Sequence, residues 1–187
     1  MPSTPHLSAH VIVFVVSVIV TVISTSWAMD AAGFPGRPLQ WPKTFFTRLG
    51  RDLREGGRKA RDWTVLGLYS AAVSGLHFGG IQWDIYTLVH WWDLLTHALS
   101  GAGVAALLYM TFHSPIDGNR SPGWLVPAVL AFGAGFELYE FVFKDFWYAW
   151  TLRFYLVDTV VDLVAGVAGA VLVVIVILAV RGVGARN

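Results

Sequence analysis

Residues 154–180 read FYLVDTVVDLVAGVAGAVLVVIVILAV, twenty-seven positions whose only charges are Asp158 and Asp162. As a helix rising 1.5 Å per residue, the stretch is about 40 Å long, more than the roughly 30 Å hydrocarbon core of a bilayer. It is apolar all round, so it offers no face to water. The stretch therefore reads as a membrane span. The two aspartates need a reason to be there, because a charge at the centre of a span costs about 2.5–3.5 kcal/mol.

Four other stretches are long and apolar enough to be spans: about 9–29, 63–83, 86–112 and 123–143. With 154–180 they make an all-α, polytopic membrane bundle of five helices in a single domain, 1–187. The turn around Gln82–Ile85 is short, so the second and third spans form an antiparallel hairpin. Pro115, Gly118 and Pro122 mark the next turn. The first span, with its uncharged run Val11–Val22, is read as a helix rather than a cleaved leader. It lacks a basic leading region, and Ser26-Trp27-Ala28 is a poor cleavage signature.

Composition agrees. Hydrophobic residues make up 56% and charged residues 13%, against about 25% charged in soluble domains. Mean hydropathy is +0.60. Thirteen Lys and Arg against twelve Asp and Glu is too even for a nucleic-acid binder. No cysteine is present, which excludes disulfides, thiol catalysis and cysteine-held clusters. The nine tryptophans fit interfacial anchoring, with Trp83, Trp91, Trp92, Trp147, Tyr148 and Trp150 as an outer belt.

Eight of the thirteen basic residues lie in 30–62. Placing that segment in the cytoplasm puts eleven basic residues inside and leaves only Lys144 and Arg153 outside. The N-terminus is then outside and the C-terminus inside, in a multi-pass protein of the cell membrane. Within 30–62, Phe45, Phe46, Leu49 and Leu53 recur at helical spacing among basic residues. The segment reads as an amphipathic helix on anionic lipid, or simply as the positive-inside loop, with Gly56-Gly57 ending any helix.

Three spans carry ionisable pairs: Asp93 with His97, Glu137 with Glu140, and Asp158 with Asp162. Spacings of four, three and four residues put each pair on one helix face. Counted from the outer ends of the spans, all six residues fall roughly 6–16 Å deep. His77 falls roughly 9 Å deep, in the same slab. Asp93, His97 and Gly101 also repeat the spacing of Asp158, Asp162 and Gly166. Glycine one turn below a polar pair allows close helix approach, which is also ordinary bundle packing.

These carboxylates cannot all stay ionised in a low dielectric without compensation. Either some are protonated, or a cation joins them. Lys144 and Arg153 sit only at the rim. A divalent ion is the natural partner, and oxygen ligands with an imidazole suit Zn, Mn, Fe, Mg or Ca. Asp93, His97, Asp158 and Asp162 are the candidate ligands, with His77 and His90 as secondary ones. Intramembrane Asp, Glu and His can also form a closed network that only fixes helix register.

The segments WDLLTHALSG (92–101), FELYEF (136–141) and DTVVD (158–162) resemble, in order, the signatures of the YjdF-like predicted membrane proteins. Those signatures run D-x-x-x-H-x-x-x-G, E-x-x-E and D-T-x-x-D, and the likeness covers about residues 85–170. The resemblance implies a small polytopic membrane protein whose matching polar positions are Asp93, His97, Glu137, Glu140, Asp158 and Asp162. It implies no activity.

Three functions compete. One is a metal-dependent hydrolase at the outer face, with Glu137 or Glu140 as general base and Lys144 or Arg153 holding an anionic lipid or small-molecule ligand. Another is cation transport or proton relay, which the apolar inner halves of the spans disfavour. The third is a non-catalytic membrane assembly subunit, and a homo-oligomer is compatible with each.

Overall fold

The computed structural model describes residues 40–113, 121–143 and 151–184, and within 12–27 all but 13, 14, 17 and 25. The described residues of 12–27 are helical, and Thr21 lies beside Gly135. The elements that follow are α1 (Trp41–Glu55), α2 (Gly57–Gln82), the short α3 (Ile85–Leu88), α4 (Trp92–Phe112), a 3-10 turn (Pro122–Trp124), α5 (Leu125–Phe143) and α6 (Leu152–Gly184). No strand occurs among the described residues.

Three of these helices, Gly57–Gln82, Trp92–Phe112 and Arg153–Gly182, are long and apolar enough to cross a membrane. The surface says the same. Val65, Leu68 and Phe78 on α2, and Val160, Val164, Leu172, Ile175 and Val180 on α6, are exposed. A soluble monomer rarely leaves so much contiguous apolar surface uncovered, whereas lipid covers it without cost.

Within the basic segment, the described residues Trp41–Glu55 form the helix α1. Pro42 opens the first turn of α1, where its missing N–H costs nothing. Gly56 and Gly57 end it at φ 70° and 62°, a left-handed region that glycine enters without steric penalty. The helix does not lie free on lipid, however. Trp41 meets Phe112 and Phe132, and Phe45 meets Trp63, so this face packs on the bundle. Phe46 and Leu53 point outward.

Two boundaries differ from the sequence reading. The helix expected as the second span begins at Gly57, six residues before Trp63, because Arg58–Asp62 continue it beyond the apolar run. The stretch expected as the third span is broken: α3 ends at an extended Val89, and α4 starts at Trp92. Asp93 therefore sits in the first turn of α4, not two turns into a helix begun at Tyr86. A carboxylate there meets the positive end of the helix dipole.

Contact order along the chain fixes the helix directions. His97, Gly101 and Tyr109 meet Asp162, Gly166 and Arg181 in the same order, so α4 and α6 are parallel. Glu137 and Gly133 meet Thr159 and Leu163, so α5 runs against α6. Tyr69 and Gly80 meet Leu99 and Trp92, so α2 runs against α4.

The α4–α6 interface is the most extensive in the fold. A Cβ on Gly101 would overlap the Gly166 carbonyl, and one on Gly169 would overlap the Ala98 carbonyl. The backbones touch because these positions carry no side chain. Below them lies a dry core of Ala105, Leu108, Leu125, Ala128, Val129 and Ala170.

Candidate metal centre

The close approach at Gly101 and Gly166 determines what happens one turn away. His97 precedes Gly101 by four residues and Asp162 precedes Gly166 by four, so both side chains enter the same space between α4 and α6. His97 Nε2 lies 3.5 Å from Asp93 Oδ1 and 3.6 Å from Asp162 Oδ2. Asp93, His97 and Asp162 each offer a ligand atom, and these atoms all lie within 4.8 Å of one another. Asp162 is 4% exposed, and the His97 and Asp93 side chains are 20% and 37% exposed. The group is thus closed on the α6 side and open beside Asp93.

Both separations exceed the 2.7–3.2 Å of an N–H···O hydrogen bond. They match the spacing of two ligands on one ion: bonds of about 2.1 Å at a tetrahedral angle put ligand atoms about 3.4 Å apart. The donor set, two carboxylates and one imidazole, suits borderline to hard divalent cations.

Around this group lies a second layer. Glu137 is 3% exposed; its Oε2 accepts from Thr159 Oγ1 at 2.9 Å, and its backbone carbonyl accepts from Tyr155 OH at 3.0 Å. Glu140, one turn on, is 8% exposed. Asp93, Asp158, Glu137 and Glu140 are all near enough to Asp162 to act on its charge. The Phe136 ring stands edge-on to His97 at 6.2 Å. From α2, His77 Nδ1 is 2.7 Å from Tyr86 OH, which donates to Thr96 Oγ1 at 3.3 Å; Thr96 in turn donates to the Asp93 carbonyl at 2.9 Å.

The structure brings three of the four expected ligands into one group; Asp158, one turn before Asp162, is not in it. His77 is taken up by Tyr86, and His90 is exposed. Arg153 is exposed and forms no ion pair among the described residues. Lys144, Trp147, Tyr148 and Trp150 lie outside the described residues. Trp83 and Trp91 are exposed as a belt requires, but the Trp92 indole is turned inward against Gly80.

The sequence alone does not single out Thr159, Tyr155, Tyr86 or Thr96. Thr159 lies inside the D-T-x-x-D run and Tyr155 one turn before it, so their place on α6 was readable. Which carboxylate they would serve was not.

No curated protein and no solved structure matches this chain. A family model described as "Predicted membrane protein (DUF2238)" matches residues 58–182, taking in every one of the paired acidic and histidine positions. The YjdF-like proteins are this same family, so the likeness carried by the three motifs holds: the chain belongs to the DUF2238 family of predicted membrane proteins.

Proposed function

We propose that this protein is a five-span, single-domain protein of the cell membrane, N-terminus outside, whose outward end holds a divalent cation on Asp93, His97 and Asp162. The observation that carries this reading is the pair of separations at His97 Nε2, 3.5 and 3.6 Å, too long for hydrogen bonds and right for ligands sharing an ion. A bound divalent cation supplies a water acidic enough to act as a nucleophile near neutral pH. Glu137 and Glu140 are the general-base candidates, with Asp158 a further ligand candidate. Arg153 and Lys144 are the residues for an anionic, membrane-associated substrate. The finer reading is therefore a metal-dependent hydrolase.

The test is elemental analysis of the purified full-length protein, with Asp162→Asn and His97→Gln beside it. About one equivalent of Mn, Zn, Fe, Mg or Ca in the wild type, lost in both folded variants, supports the site. If the wild type carries no metal, and neither Mn nor Zn raises its melting temperature, the reading fails.

A proton-relay reading draws on the chain from His77 through Tyr86 to Thr96. That chain ends on a backbone carbonyl, and the space below is filled by the apolar core. The cation site is the better-supported function.

A further inference from the structure

A second polar site lies at the other end of α4. Thr111, in the last turn, is 18 residues from Asp93, about 27 Å along the axis. There a pocket of about 420 Å³ opens between α1 and α4, within the roughly 300–1,000 Å³ range of small-molecule sites. Its α1 wall is Gln40, Lys43, Thr44, Thr47, Arg48 and Arg51. Steps of three and four residues put all six on one helix face.

This wall is cationic and preorganised. Arg48 donates from Nε to Asp52 at 3.0 Å and from Nη2 to the His113 carbonyl at 3.2 Å. Arg51 donates from Nε and Nη2 to Asp52, both at 3.2 Å. A guanidinium has five N–H donors, so each arginine keeps others for a ligand. Asp52 fixes both forks without lining the pocket. Lys43 makes no ion pair among the described residues.

The α4 wall adds an independent sign. Thr111 is 4% exposed, and its Oγ1 makes no hydrogen bond among the described residues. A buried hydroxyl without a partner is costly. Thr111 is among the residues lining the pocket, so a side-chain rotation would bring this hydroxyl to an incoming oxygen.

We propose that this pocket binds a phosphate group, either the phosphodiester of an anionic lipid headgroup or free phosphate. Two arginine forks, a lysine and the hydroxyls of Thr47 and Thr111 match the many acceptors and negative charge of a phosphate; the Thr44 hydroxyl already donates to the Gln40 carbonyl. Phe46 and Leu53, exposed on α1 beside this face, put the helix at the level where headgroups lie.

Native mass spectrometry of the full-length protein in neutral detergent tests the proposal. The probes are dioleoyl-phosphatidylglycerol, dioleoyl-phosphatidylcholine and inorganic phosphate. The variants are Lys43→Gln with Arg51→Gln, both on exposed side chains, and Thr111→Val, which keeps the shape. The wild type should retain phosphatidylglycerol over phosphatidylcholine. Retention should fall about tenfold in the double variant, whose melting also drops because Arg51 braces Asp52, and about threefold in Thr111→Val, with melting unchanged. If the double variant does not fold, Lys43→Gln alone decides. Millimolar phosphate that binds the wild type and displaces the lipid identifies free phosphate as the ligand; its failure to do so identifies the lipid. Equal retention of the two lipids, with phosphate binding indifferent to the variants, overturns the proposal. Metal content plays no part in this readout, so the two sites stand or fall separately.

Discussion

Asp52 and Asp162 are both buried acids, 3% and 4% exposed, and the molecule treats them in opposite ways. Asp52 receives Arg48, Arg51 and the Trp63 indole N–H, the last at 3.1 Å. Asp162 has Asp93, Asp158, Glu137 and Glu140 near enough to act on its charge, with His97 Nε2 3.6 Å away. No lysine or arginine among the described residues pairs with Asp93, Asp158, Asp162 or Glu137. Acids of the first kind bring their counter-charges with them and fasten helices together. Acids of the second kind need a proton or an ion from outside, and that need is what makes their end of the bundle a candidate site.

The acidic end depends on the glycine contact one turn below it. Gly101→Ala or Gly169→Ala should part α4 and α6, costing about 3 kcal/mol or more by overpacking. Denaturation in detergent would show this, together with loss of any metal bound by the wild type. An unshifted midpoint would mean that the backbones do not touch.

Next in size is the direct comparison. Asp52→Asn leaves two arginines and an indole without their anion and should cost about 2 kcal/mol. Asp162→Asn, measured with a chelator present, removes one of several crowded acids and should leave stability unchanged or raise it by about 1 kcal/mol. If the two substitutions destabilise alike, the contrast between the ends is wrong.

Acid should sharpen it. Burial alone would raise the pKa of Asp52, but the Trp63 hydrogen bond, the charge of Arg48 and the hydrogen bonds from Arg51 and Arg48 outweigh it and hold the carboxyl below its ordinary 3.8. A carboxyl more acidic folded than unfolded stabilises the fold at every pH above the unfolded value, and loses that contribution as pH falls towards the folded one. The stability gap between wild type and Asp52→Asn should therefore be constant above about pH 5 and shrink below pH 3.8. Melting curves across that range test it.

The smallest effect is expected at Glu55. Lys59 at 2.7 Å lowers its pKa, but the pair is open to water. Glu55→Gln should not measurably change the melting temperature, in contrast to Asp52 one turn away.

Much of the site was legible because helical spacing is a strong constraint. Asp93 and His97, or Asp158 and Asp162, must share a face once the spans are helices. The repeat of the Gly101 pattern at Gly166 is compatible with close helix approach and with ordinary packing alike; that these two glycines meet each other is a finding of the structure. The same reasoning groups Asp158 with the ligands, but a shared face does not fix where a side chain reaches: Asp93 and His97, also four residues apart, meet, while Asp158 stays out of the group. Nothing in the sequence singles out Asp52, one acid among many basic residues.

The chain's own order of apolar runs, glycines and paired acids determined that it is helical, that it belongs in a membrane, and which side chains share a helix face. That information is local, written in periods of three and four residues. Only the tertiary structure decided that His97 meets Asp162 rather than Asp158, that Thr159 serves Glu137, and that Asp52 is ringed by donors while Thr111 faces a basic pocket. Those outcomes turn on helix rotation and offset, which are set by backbones meeting at Gly101, Gly166 and Gly169, and no single segment contains them.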